Sequence, residues 1–116
     1  MAISSVHMFV IAGAVLATGA TGVTIPDDSF AARMDRSMEE MHRGMHVELT
    51  GDPDRDFARM MIPHHQGAVD MALVELRYGH DERLRRLAEG IIVEQKQEIE
   101  VMHHYLATPP PRAVVR

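Results

Sequence analysis

Residues 49–56, Leu49-Thr50-Gly51-Asp52-Pro53-Asp54-Arg55-Asp56, read as a turn that runs straight into the start of a helix. Asp52 suits the N-cap, where its carboxylate accepts from free backbone N–H groups, and Pro53 suits the first helical position. Asp54 and Asp56 then lie in the first turn, where the helix dipole favours negative charge. The helix predicted from this start runs to Tyr78 and stops at Gly79. Working outward, Asp81 caps a third helix ending near Leu106, before Thr108 and Pro109-Pro110-Pro111, which cannot continue it. Upstream, Asp28 or Ser29 caps a first helix running to about Val47. No period-two apolar alternation is present, so the expected class is all-α: three main helices, antiparallel because short turns join them.

The 116 residues make one small domain, with 10 Met set against 3 Phe, 2 Tyr and no Trp or Cys. Its interior must therefore be filled by Leu, Ile, Val, Ala and some of the Met. A formal charge of -5 supplies no basic stripe for a phosphate backbone, so nucleic acid is not an expected partner. The first 26 residues lack Asp, Glu, Lys and Arg, and the apolar run Met8–Ala17 is followed by Thr18, Gly19 and Ala20. Residues 1–26 read as a signal peptide or a membrane anchor, and a membrane is a partner only if the segment is retained as an anchor. Either reading puts the domain outside the cytoplasm, whether periplasmic, secreted or anchored at the outer face of the membrane. Residues 27–108 form the helical domain, and 109–116 read as a disordered tail.

The second helix carries Met60-Met61-Ile62-Pro63-His64-His65-Gln66-Gly67-Ala68-Val69-Asp70-Met71. Two adjacent imidazoles among three thioethers form a donor set for a soft or borderline metal. Thioether sulfur suits Cu(I), imidazole suits both Cu(I) and Cu(II), and no Cys competes with them. Each residue advances about 100°, so Met60, His64, Gly67, Ala68 and Met71 share one face while Met61, His65 and Ala72 share the next. In the ordinary packing alternative, one imidazole is buried and hydrogen-bonded and the other faces solvent. Pro63 and Gly67 break helix rules in the same stretch, which marks either a functional position or a bend around neighbours.

In the first helix, Met34, Met38, Met41 and Met45 form one stripe, whose plain reading is core packing. His42 and His46 beside Met41 and Met45 allow a second, peripheral site. In the third, Glu98 sits at the margin of the apolar face beside Gln95 and Met102, either a ligand or a surface carboxylate. Folding the chain at its turns sets His64 and His65 level with Gln95 and Lys96, about one turn from Glu98, and with Met34 to Met38 of the first helix. Met60 and Met61 then lie within about a turn of Met102. The repeats Glu39-x-x-His42 and Glu100-x-x-His103 have the spacing of a carboxylate-bridged metal oxidase but lie away from that layer.

The run from Thr50 to Ala68, with its Met-Ile-Pro-His-His-Gln core, strongly resembles the secreted family called domain of unknown function 305. The Met-rich helix before the turn and the pattern of Gln95, Glu98-Ile99 and Met102 resemble it too, over roughly residues 34–106. The resemblance implies a ferritin-like helical bundle. It also implies kinship with a periplasmic copper-binding protein, CopM, linked with copper resistance. It further implies copper at Met60, Met61, His64, His65 and Met71, with Glu98 and Met102 as candidates on the opposite helix. The expectation is an exported protein that buffers or sequesters Cu(I), with Cu(II) as a second state, and is not an enzyme. The rivals are a ferritin-like iron or manganese oxidase or peroxidase, and a purely structural helical dimer. Three helices of this length close a poor core, so bundle geometry suggests a homodimer.

Overall fold

The structure is a computed structural model and describes residues 28–109. Three helices account for nearly all of it: α1 (Phe30–Met45), α2 (Pro53–Tyr78) and α3 (Glu82–Ala107). No strand occurs among the described residues, and the all-α reading holds. The segment expected to be a signal peptide or anchor, and the tail beyond Pro109, lie outside them. None of the described helices is long and apolar enough to cross a membrane.

Local chemistry sets the helix starts. Ser29 caps α1 by accepting from the Ala32 N–H at 3.2 Å. Asp52 caps α2 through the N–H groups of Asp54 (3.0 Å) and Arg55 (3.3 Å). Asp81 caps α3 through Arg83 (2.9 Å) and Leu84 (3.2 Å). The Arg83 guanidinium, hydrogen-bonded to Asp81, holds its carboxyl below the usual carboxylate range, with the capped N–H groups adding to the effect. α1 ends at Met45, two residues before the predicted stop at Val47, because His46 leaves helical dihedrals and becomes the C-cap. The 46–52 connection turns at Gly51, whose φ of +88° suits a residue with no Cβ.

Asp56 buckles that connection onto α2. Its carboxylate accepts from the Thr50 N–H (2.8 and 3.0 Å), the Thr50 hydroxyl (2.7 Å) and the Gly51 N–H (3.0 Å). These bonds, the Thr50 backbone first, hold its pKa below the ordinary value despite the opposing effect of burial. Asp56 is thus a buried carboxylate with a full set of donors, which is why its burial is tolerated.

α2 is the spine. α1 and α3 both pack along it, and no backbone approach within 8 Å links α1 to α3. The stripe of α2 facing α1 contains Pro63, Gly67, Asp70 and Val74, whereas the stripe facing α3 contains His65, Ala68, Ala72 and Glu75. These stripes lie on opposite sides of the helix, so the bundle is an open antiparallel row with α2 in the middle. The buried apolar residues are small for such long helices: Ala58, Val69, Ala72, Val74, Ala88 and Met102. Val69 alone among the described side chains is both large and almost wholly sealed, at 1% exposure.

Long-range side-chain bonds fix the registers. The Arg55 guanidinium near the start of α2 donates to the carbonyls of Leu106 (3.0 Å) and Thr108 (3.2 Å) at the end of α3. Reciprocally, Arg85 near the start of α3 donates to Leu76 (2.6 Å) and Gly79 (3.1 Å) at the end of α2. Each arginine satisfies carbonyls that the neighbouring helix leaves without an intrahelical partner. At the outer end, Asp28 is gripped by Arg33, Arg77 (2.6 Å) and the Tyr78 hydroxyl, with Phe30 edge-on to Tyr78 at 6.2 Å. Burial opposes ionisation of Asp28, but the hydrogen bond and charge of Arg33, with Arg77 behind it, leave its pKa lowered.

Candidate metal centre

The two imidazoles of α2 diverge as neighbours on a helix must, with ring centroids 5.8 Å apart and planes at 61°. His65 turns into the α2–α3 seam, where its side chain is 12% exposed. There Nε2 lies 2.6 Å from Oε2 of Glu98, which is itself 49% exposed. An ionised carboxylate only accepts, so a neutral His65 donates through Nε2–H and its Nδ1 keeps a lone pair. That Nδ1 is buried and has no hydrogen-bond partner among the described residues. Imidazoles that bind metals commonly donate one N–H to a carboxylate and coordinate through the other nitrogen. Glu98 thereby orients the ring as well as lending charge to the site.

The His65–Glu98 pairing spans a step along the helix axes. Glu98, which sequence counting puts about one turn from the level of His65, reaches it through the length of its side chain. Met61 follows one turn earlier on α2 and Met102 one turn later on α3, in the same seam. Met102 is buried and Met61 half-buried. The seam therefore assembles one imidazole, one carboxylate and two thioethers from two helices.

His64 points away from this seam and is exposed on the face it shares with half-buried Met60 and Met71. α1 meets that part of α2 through small residues. A Cβ on Gly67 would fall 2.6 Å from Cβ and 2.8 Å from Sδ of Met41, and one on Gly44 would fall 2.6 Å from Cβ of Pro63. Gly67 is thus the seat of Met41, and Pro63 packs on the last turn of α1. Met41 and Met45, rather than the expected Met34 to Met38, come to the level of the His pair. The reason is physical: the 46–52 connection uses seven residues without helical rise, which slides α1 along α2. Met38 is exposed near the middle of α1, and Met34 is half-buried. His42 is exposed on α1, and His46 is its exposed C-cap.

Gly44 as a contact point and the reciprocal Arg55 and Arg85 bonds were not foreseen. A signal for the arginines was available: cations in the first turn oppose the helix dipole and call for a partner elsewhere. Among the described residues no three His, Asp or Glu side chains gather into a metal-holding group. The donors in contact are the His65 nitrogen and the Glu98 carboxylate, with thioethers farther along the same seam.

The fold and site define a class: an all-helical bundle protein whose central helix carries a Met/His face beside a carboxylate-buttressed histidine. The chain belongs to the family described as domain of unknown function (DUF305), which it matches over residues 16–106. A comparison with curated proteins finds no match.

Proposed function

We propose that this chain is an exported, CopM-type copper-binding protein that buffers or sequesters Cu(I), and holds Cu(II) as a second state, outside the cytoplasm. The observation that carries this reading is His65, held by Glu98 through one ring nitrogen while the other is buried and without a partner among the described residues. Thioethers lie along the same seam: Met61 sits one turn before His65 on α2, Met102 one turn after Glu98 on α3, and Met60, His64 and Met71 form the adjoining face. Thioethers favour Cu(I), and imidazole retains either oxidation state. No catalytic group is assigned, because binding and release of the ion need no covalent step.

The oxidase alternative needs an oxygen-rich set of ligands, and the described residues of one chain gather no three His, Asp or Glu side chains. The test is an anaerobic Cu(I) titration of the full chain against a competing chelator, repeated with Cu(II) and Zn(II). Saturable Cu(I) binding that weakens at least tenfold in the His64→Ala/His65→Ala variant, with helicity retained, supports the site. Affinity unchanged in that variant removes it, and iron and manganese turnover would then be measured.

A further inference from the structure

Helical and sheet domains ordinarily bury their apolar faces by packing two layers together. The described residues form one layer, and its two broad sides differ in chemistry. On one side, a cleft of about 470 Å³ between α1 and α2 is lined by Arg33, Arg36, Glu40, Asp70 and Arg77. On the other, an apolar groove of about 300 Å³ runs between Met71 of α2 and Leu84, Leu87 and Ile91 of α3. A second hollow, lined by Leu49, Phe57 and Met60, continues it toward the start of α2. The helical phase of these linings puts the α1 methionine stripe and His64 on the same side.

The exposed area decides what this side is for. Phe57, Leu84 and Leu87 are 59%, 53% and 58% exposed, and Met38, Leu49 and Tyr105 are exposed as well. Side chains of this size leave roughly 100 Å² each in solvent at such fractions. Six of them give roughly 600 Å², the upper end of the largest apolar patch on an ordinary monomer. Half-buried thioethers on the same side add to this, against the roughly 800 Å² that each partner of a standard interface contributes. The side that the described residues leave uncovered is three helices wide. A copy of the chain supplies a second layer and covers its own apolar side in the same symmetric contact.

We propose that a second copy of this chain packs about a two-fold axis on the Met38/Phe57/Leu84/Leu87 side, giving a two-layer, six-helix homodimer with His64 and its neighbouring methionines in the interface. Where the copper reading also holds, on which this clause rests, thioethers of both copies share the sealed space around the metal.

The test uses the full chain without metal. Sedimentation equilibrium across the micromolar range is expected to give twice the 13.0 kDa chain mass. The Leu84→Glu/Leu87→Glu variant should sediment as a monomer, while Val93→Glu, on the outer side of α3, should remain dimeric. Because the charged pair could also unfold the chain, a second readout uses single cysteines in this Cys-free sequence. A thiol introduced by Leu87→Cys should react at least tenfold more slowly than one introduced by Val93→Cys, and dilution should abolish the difference. A monomeric chain with a reactive Leu87→Cys thiol overturns the proposal. So does a monomeric chain in which that thiol is protected at every concentration, which would assign the cover to residues 1–27. The two readings fail separately: a dimer that binds no Cu(I) removes the copper function alone, and a monomer that binds Cu(I) removes the dimer alone.

Discussion

The two seams of α2 are built on different principles. The α2–α3 seam is pinned at both ends by Arg55 and Arg85 and carries one polar pair, His65–Glu98, between apolar contacts of Ala72, Ala88 and Met102. The α1–α2 seam relies on absent side chains: Gly67 admits Met41, Gly44 admits Pro63, and a salt-bridged clamp at Asp28 closes the far end. One seam is held by directed bonds and tolerates imperfect packing between them. The other is held by close approach, and one added methyl group disturbs it.

The sharpest way to break the comparison is Gly67→Val. The new side chain meets Met41 and forces α1 outward, at a cost of roughly 3 kcal/mol, the upper end of ordinary overpacking. Urea unfolding followed by circular dichroism measures it; an unchanged midpoint would mean that α1 is not seated there. On the directed side, Glu98→Gln keeps the size of the side chain but removes the charge that orients His65. It should weaken Cu(I) binding about tenfold, near 1.4 kcal/mol, with little change in helicity. Arg85→Ala, which frees the carbonyls of Leu76 and Gly79, should cost about 1 kcal/mol and speed amide exchange in the last turn of α2.

Gly90 provides the control for Gly67. A Cβ there meets nothing within 4 Å, so Gly90→Ala should stabilise the chain by up to about 1 kcal/mol through helix propensity. Acid titration adds a subtler test. Asp56 has a folded pKa below its ordinary 3.8, so its contribution is fully present above the unfolded carboxylate's pKa. It is lost as pH falls from there through the lower folded value. Asp56→Asn should flatten that part of the stability profile, read as the midpoint of thermal unfolding against pH.

How much of this was legible follows the same division. The starts of all three helices could be read because caps are local: Ser29, Asp52 with Pro53, and Asp81 act within three residues of themselves. The opposed directions of His64 and His65 were legible from helical phase alone. Axial level was not, because it depends on how many residues a connection consumes, and the 46–52 stretch absorbs length that the sequence pattern does not reveal. That is why Met41 and Met45, and not Met34 to Met38, stand at the level of the His pair. Gly67 itself stood out as an anomaly, but its cause lay on another helix, and no local rule could supply it.

The crossed arginines have a consequence for how this chain can vary. Arg55 and Arg85 reach the far ends of two helices of 26 residues each, so the hairpin is in effect a gauge whose arms must match. Inserting one residue within α2 would lengthen one arm by about 1.5 Å and swing every later side chain by about 100°, parting His65 from Glu98 or Arg85 from its carbonyls. The hairpin can therefore drift by substitution but not by insertion or deletion, unless both arms change together.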